Sequence, residues 1–228
     1  MWFQKRQELQ SRKGRTYMTI DSDNLLSSIL ASLDRIEYIK PEDIPDIDLY
    51  MDQVTTFMDG KLRSASRYPE EDKILTKTMI NNYAKNKLLP PPVKKKYSKE
   101  HVLLLIFIYY YKNILSINDI QALLSPVSEH FFQNGKEFDL ESIYREVFSM
   151  EKEQVEALKA DVTEKYRKSQ ETFQDAPEEK SEFLRTFSFI CMLALDVYIK
   201  KLMIEKLVDE MTASENGADV QKGEVKKK

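Results

Sequence analysis

The sequence predicts a mainly α-helical protein, and two observations lead there. Apolar residues recur at helical spacing along most of the chain, as at Leu25, Leu26, Ile29, Leu30, Leu33 and Ile36. Hydroxyl residues stand just before several apolar runs, at Thr76, Ser98 and Ser116, where a side chain can take up free N–H groups of a first turn. Against these, "VKKKYS" (residues 93–98) is short and has no helical period, which predicts a loop or a narrow β-hairpin arm.

Residues 1–17 read as a flexible basic arm. "DSDNLLSSILASLDRIEYI" predicts an amphipathic helix whose first residues suit capping, and "KPEDIPDIDLY" is a proline-punctuated connector. "DLYMDQVTTFMDG" predicts a short helix ended by Gly60. After the polar loop "KLRSASRYPEEDK" comes "LTKTMINNYAKNKLL", a helix capped by Thr76 and stopped by Pro90, Pro91 and Pro92. Ser98 caps "KEHVLLLIFIYYYKNIL", and Ser116 caps "INDIQALLSPV", with Pro126 near its end. Two long helices follow, over 138–172 and 178–211. The first is amphipathic; the second is apolar almost all round between Phe187 and Ile204, which predicts burial on all faces. The polar stretch 212–228 reads as a disordered tail.

Composition removes several classes of chemistry. The five glycines are scattered, so there is no glycine-rich phosphate loop and no dinucleotide fingerprint. Two histidines and one cysteine form no zinc spacing. Cys191, amid "FSFICMLAL", reads as a buried core residue, and His101 and His130 as ordinary surface or cap residues. No carboxylate pair stands out as a dyad. An enzyme is therefore not expected, and neither a cofactor nor a metal is implied. The run Val102–Tyr111 is ten residues, about half a membrane span, and the first residues show no apolar leader. The expectation is a cytoplasmic protein with no membrane segment.

A net charge of −3 hides an uneven distribution. Residues 19–59 hold ten acidic side chains against two basic, whereas residues 73–100 hold eight lysines against one glutamate. Such a basic island in an acidic protein points to an anionic partner.

The order of short helix, second helix, proline stop, basic loop and apolar helix resembles the winged helix-turn-helix of MerR-like transcription regulators. In that resemblance Thr76 takes the cap position, Ile80 the core leucine, Asn81 the DNA-contacting arginine and Tyr83 a tyrosine. Leu88 and Leu89 take the paired leucines, and Lys95 and Tyr97 the wing's arginine and tyrosine. "ILSINDIQALL" resembles the segment after the wing helix. The likeness spans about residues 47–125. Lys87 replaces a glycine, the wing lacks its own glycine, and the loop over 59–74 is longer than the MerR turn. "LTKTMINNY", "PPPVKKKYS" and His101, in this order, are also similar to a family of mainly Firmicute bacterial proteins catalogued as domain of unknown function 1836.

The implied fold is mainly α, with a MerR-like winged helix-turn-helix followed by a helical C-terminal bundle. The implied organisation is a helical N-terminal region over 18–130 and a long-helix dimerisation or sensor region over 131–211. The implied function is sequence-specific binding of double-stranded DNA to regulate transcription. Candidate contacts are Lys77, Thr78, Asn81, Asn82 and Lys85 on the second helix and Lys94, Lys95, Lys96 and Tyr97 on the wing. A homodimer through 183–211 would suit a palindromic site, and no effector is identified. The alternative is a helical protein–protein adaptor whose basic loop meets an acidic partner.

Overall fold

A computed structural model of the chain describes residues 22–34, 38–63, 66, 68, 70–133 and 138–225. The predicted basic arm over 1–17 and the last residue of the first apolar stripe, Ile36, lie outside the described residues.

The described chain is helical apart from one small antiparallel sheet. Helix α1 (Ser22–Leu33) is followed by a 3-10 turn at Pro41–Asp43. Strand β1 (Leu49–Tyr50) leads into α2 (Met51–Leu62) and α3 (Lys77–Lys85). Strand β2 (Lys96–Tyr97) pairs with β1 in the register Leu49 opposite Tyr97 and Tyr50 opposite Lys96. Next come α4 (Lys99–Tyr111), α5 (Ile117–Phe131), α6 (Leu140–Ser149), α7 (Glu151–Gln170) and α8 (Glu178–Val225).

Helix α4 is the centre. Every residue from His101 to Ile108 is buried. With no polar face, such a helix is stable only if neighbours surround it. β2, α5 and α6 pack against it. Its first turn is tied to α6 by the Lys99–Glu141 ion pair at 2.8 Å, and its end to the residues before α3 by Lys112, whose ammonium donates to the Ile74 carbonyl at 2.9 Å. Tyr144 of α6 donates its hydroxyl to the Ile39 carbonyl at 2.7 Å, which draws the connector onto the same core. A second, smaller core holds Val162 and Tyr166 of α7, Phe189 of α8 and the stripe Leu26, Ile29 and Leu30 of α1.

Several expectations change. α2 runs through Gly60 to Leu62; a glycine within a helix costs only about 1 kcal/mol, which the burial of Val54, Met58 and Leu62 offsets. Pro126 sits inside α5 rather than near its end. The predicted helix over 138–172 is two helices that meet at Met150, which caps the end of one and the start of the other. α8 continues to Val225, into the stretch whose composition suggested a disordered tail. It is also not buried on all faces: Phe187, Ile190, Leu195, Tyr198, Leu202 and Leu207 are exposed, and so is Cys191. Among the described residues α7 and α5 make the main packing on this helix, with the α1 stripe joining the same small core, and these do not enclose it.

His101 is not a surface residue; it is 1% exposed. It does act as a cap. The Ser98 backbone N–H donates to its Nδ1 at 3.0 Å, and the Ser98 hydroxyl lies 2.8 Å from the same atom. The imidazole thus does the work usually given to glutamate or glutamine at this position. Its ring stands edge-on to Tyr97 of β2 and to Phe132 after α5. Burial holds its pKa below the ordinary histidine value, opposed by the Pro91 carbonyl, the Asp48 charge and the Pro90 carbonyl. The unfolded chain therefore takes up a proton near pH 6.5 while the folded one resists it. The contribution to stability is complete above about pH 6.5 and is lost as the pH falls below it. His101→Gln, which keeps an acceptor for Ser98, should flatten this dependence. Denaturant unfolding of both proteins between pH 7.5 and 5.5 should show wild type losing up to about 1.4 kcal/mol per pH unit more than the variant.

Candidate nucleic-acid interface

The site is built from α3 and the hairpin that follows it. Thr76 caps α3, its hydroxyl oxygen accepting from the Met79 N–H at 3.2 Å. Ile80 and Tyr83 bury one face of the helix in the main core. That turns Lys77, Thr78, Asn81, Asn82 and Lys85 to the surface, and all five are exposed. α3 holds no acidic side chain.

α3 ends in a Schellman arrangement. The Leu88 N–H donates to the Tyr83 carbonyl at 2.9 Å and the Lys87 N–H to the Ala84 carbonyl at 3.2 Å. This requires Lys87 at φ 59°, a position glycine usually fills. The helix thus stops before the prolines reach it. Leu88 and Leu89 turn into the core and anchor the arm.

The lysine run is a tight hairpin. Val93 and Lys96 exchange both backbone hydrogen bonds, at 3.1 and 2.9 Å. The two residues between them, Lys94 and Lys95, have φ of 50° and 64°. Two central residues at positive φ mark the I′ kind of two-residue loop, which normally takes Asn-Gly. Five non-glycine residues among those described have positive φ, and three are Lys87, Lys94 and Lys95. Side chains with a Cβ are strained there by about 1 kcal/mol each.

The predicted residues do not all end up alike. Lys94 and Lys95 are exposed at the hairpin tip. Lys96 is half-buried, its ammonium 5.3 Å from the centre of the Tyr50 ring. Tyr97 is 3% exposed and faces His101, so it belongs to the core and not to the contact surface. Alternation along β2 explains both: neighbours on a strand point to opposite faces. Lys77 forms an exposed ion pair with Asp52 of α2, worth little in water. Ile47 and Val93 were not singled out by the sequence reading, and Lys87 only as a replaced glycine and not as a contact, yet all three are exposed beside this surface. The departure from glycine at position 87 was the signal available for the first.

Residues 39–147 match the family described as "Domain of unknown function (DUF1836)". The matched stretch holds the connector, the sheet, α2 to α5 and most of α6, and so contains the whole site. No curated protein and no solved structure matches the chain.

The hairpin strain yields a direct test. Replacing Lys94 by Asn and Lys95 by Gly supplies the residues that the turn prefers. The double variant should be more stable than wild type by about 1–2 kcal/mol, read as a shift in the denaturant midpoint at unchanged slope.

Proposed function

We propose that this protein is a sequence-specific double-stranded DNA-binding transcriptional regulator, with a winged helix-turn-helix of the MerR-like kind. The observation that carries the reading is the hairpin tip. Two lysines occupy strained positive-φ positions where neutral turn residues would be more stable, and both ammonium groups project into solvent. Strained residues persist where function requires them. An exposed double cation on a short, stiff arm beside a helix without carboxylates suits contact with a phosphate backbone.

In this reading α3 enters the major groove with Thr78 and Asn81 foremost, and the hairpin rests on the flanking phosphates. Asn81 supplies the paired donor and acceptor that suit adenine. Lys94 and Lys95 each release about one counterion. Lys96, drawn back over Tyr50, contributes less. The Lys94→Ala, Lys95→Ala variant should weaken binding to all duplexes and flatten the dependence of log K on log salt by about two units. Asn81→Ala should instead relax the motif recovered by selection from random duplexes, at one symmetric pair of positions. An unchanged slope and an unchanged motif would reject the reading.

The adaptor reading draws on Ile47, Tyr50 and Val93, which expose apolar surface beside the hairpin. It requires no affinity for random duplex at moderate salt, and the same titration decides between the two.

Two copies complete the proposal. α8 exposes a run of large apolar side chains between Phe183 and Met211, among them Phe187, Leu195, Tyr198, Leu202 and Leu207, and such a run marks an interaction surface. Pairing of α8 with its copy would bury part of this surface, including Leu195 and Leu202, and present two hairpins to a palindrome. Light scattering at micromolar concentration should give twice the 26.8 kDa chain mass. Leu195→Glu with Leu202→Glu should return it to one chain mass.

A further inference from the structure

The exposed apolar residues of α8 include a stripe with a definite order. Phe183, Phe187, Cys191, Ala194, Tyr198 and Leu202 are all exposed and follow one another at intervals of three or four residues. Residues so spaced share one face of a helix. At one end of the stripe the rings of Phe183 and Phe187 are stacked, 6.4 Å between centres. Continued by whole turns, the same face reaches Lys180 before the stripe and Glu205 after it. Glu182, Arg185, Asp196 and Lys200 lie on the other side, where Asp196 pairs with Lys165 of α7 at 2.7 Å. The stripe is thus apolar between a cation at one end and an anion at the other. Its bulk is ordered too: the rings of Phe187 and Tyr198 flank the small side chains of Cys191 and Ala194.

Such a stripe fits a second copy of itself in one direction. In a parallel pair held in register, Lys180 meets Lys180 and Glu205 meets Glu205, and like charges oppose the pairing. In an antiparallel pair, Lys180 of one copy lies opposite Glu205 of the other, and two-fold symmetry makes this contact twice. Matching the ends fixes the register of everything between them. Phe187 then faces Tyr198, Phe183 stands near Leu202, and Cys191 faces Ala194. Ring meets ring, and small residues meet at the middle, where they let the two helices approach closely. Glu205 also has Lys201 of its own helix at 3.5 Å, both partly exposed. Its two carboxylate oxygens can accept from both lysines. We propose that two copies of this chain pair through α8 in antiparallel orientation, with Lys180 against Glu205 at each end and Cys191 against Ala194 at the centre. This rests on the reading of α8 as the surface that joins two copies, and gives that surface a direction and a register.

Cysteine cross-linking of the full chain tests the register. In a Cys191→Ala background, one protein carries Phe187→Cys and another Tyr198→Cys, both at exposed positions. Mixed and mildly oxidised, the two should form a disulfide with each other, and neither should cross-link alone. In the antiparallel pair the two positions 187 lie about 16 Å apart along the helices, beyond the roughly 7 Å a disulfide spans. Charge exchange is the second arm. Lys180→Glu or Glu205→Lys alone should raise the dimer dissociation constant about threefold to tenfold, measured by light scattering on dilution, and the two together should restore it. If the wild-type chain has twice its single mass and Phe187→Cys cross-links with itself, the antiparallel register is overturned and the dimer stands. A charge-exchanged double variant no tighter than the single ones would overturn the register as well. A wild-type chain of single mass would refute pairing through α8 and this proposal with it.

Discussion

The structure depends on the burial of one helix. His101 to Ile108 of α4 are all enclosed, and every side of the helix therefore needs a neighbour. Burying its seven consecutive apolar side chains contributes on the order of 15 kcal/mol before entropy is counted. That demand collects the rest of the matched domain. The β1–β2 sheet covers its beginning through Tyr97, α5 and α6 cover its flanks, and the carbonyl before α3 is tied to its end through Lys112. The basic hairpin is held in place because β2 and the first turn of α4 share the Tyr97–His101–Phe132 stack.

Against this background the lysine tip represents a local conflict. Turn chemistry favours Asn-Gly at these two positions, and charge favours lysine. Lysine stands at both, and a third lysine takes the glycine-like position after α3. The stable core tolerates this because the strain is confined to exposed backbone. It leaves three cations on short, constrained segments where flexible loops would have spread them.

The sequence was legible where local chemistry decides. The caps at Thr76 and Ser116, the apolar α4 and the short arm at "VKKKYS" are all present. It was less legible where two patterns look alike. "VLLLIFIYYY" and "FSFICMLALDVYI" are both apolar nearly all round, yet α4 is wrapped by its own chain and α8 lies along one side of the bundle. Periodicity cannot say how many neighbours a helix has. The break at Met150 was missed for a related reason: "SMEKEQ" has no glycine or proline, and the two helices meet without a loop. In the candidate site, the burial of Tyr97 follows from the strand register, which depends on β1 some 48 residues earlier in the chain.

The same joint has a mechanical meaning. α6 and α7 share Met150 and no linker, so the angle between them is set by the backbone of one residue. α7 is 20 residues long, about 30 Å. A turn of about 10° at Met150 would swing its far end through about 5 Å. The matched stretch ends at residue 147, three residues before this hinge. α8 also packs against α5 inside the matched stretch, so any turn at Met150 that swings α7 has to shift this second contact with it.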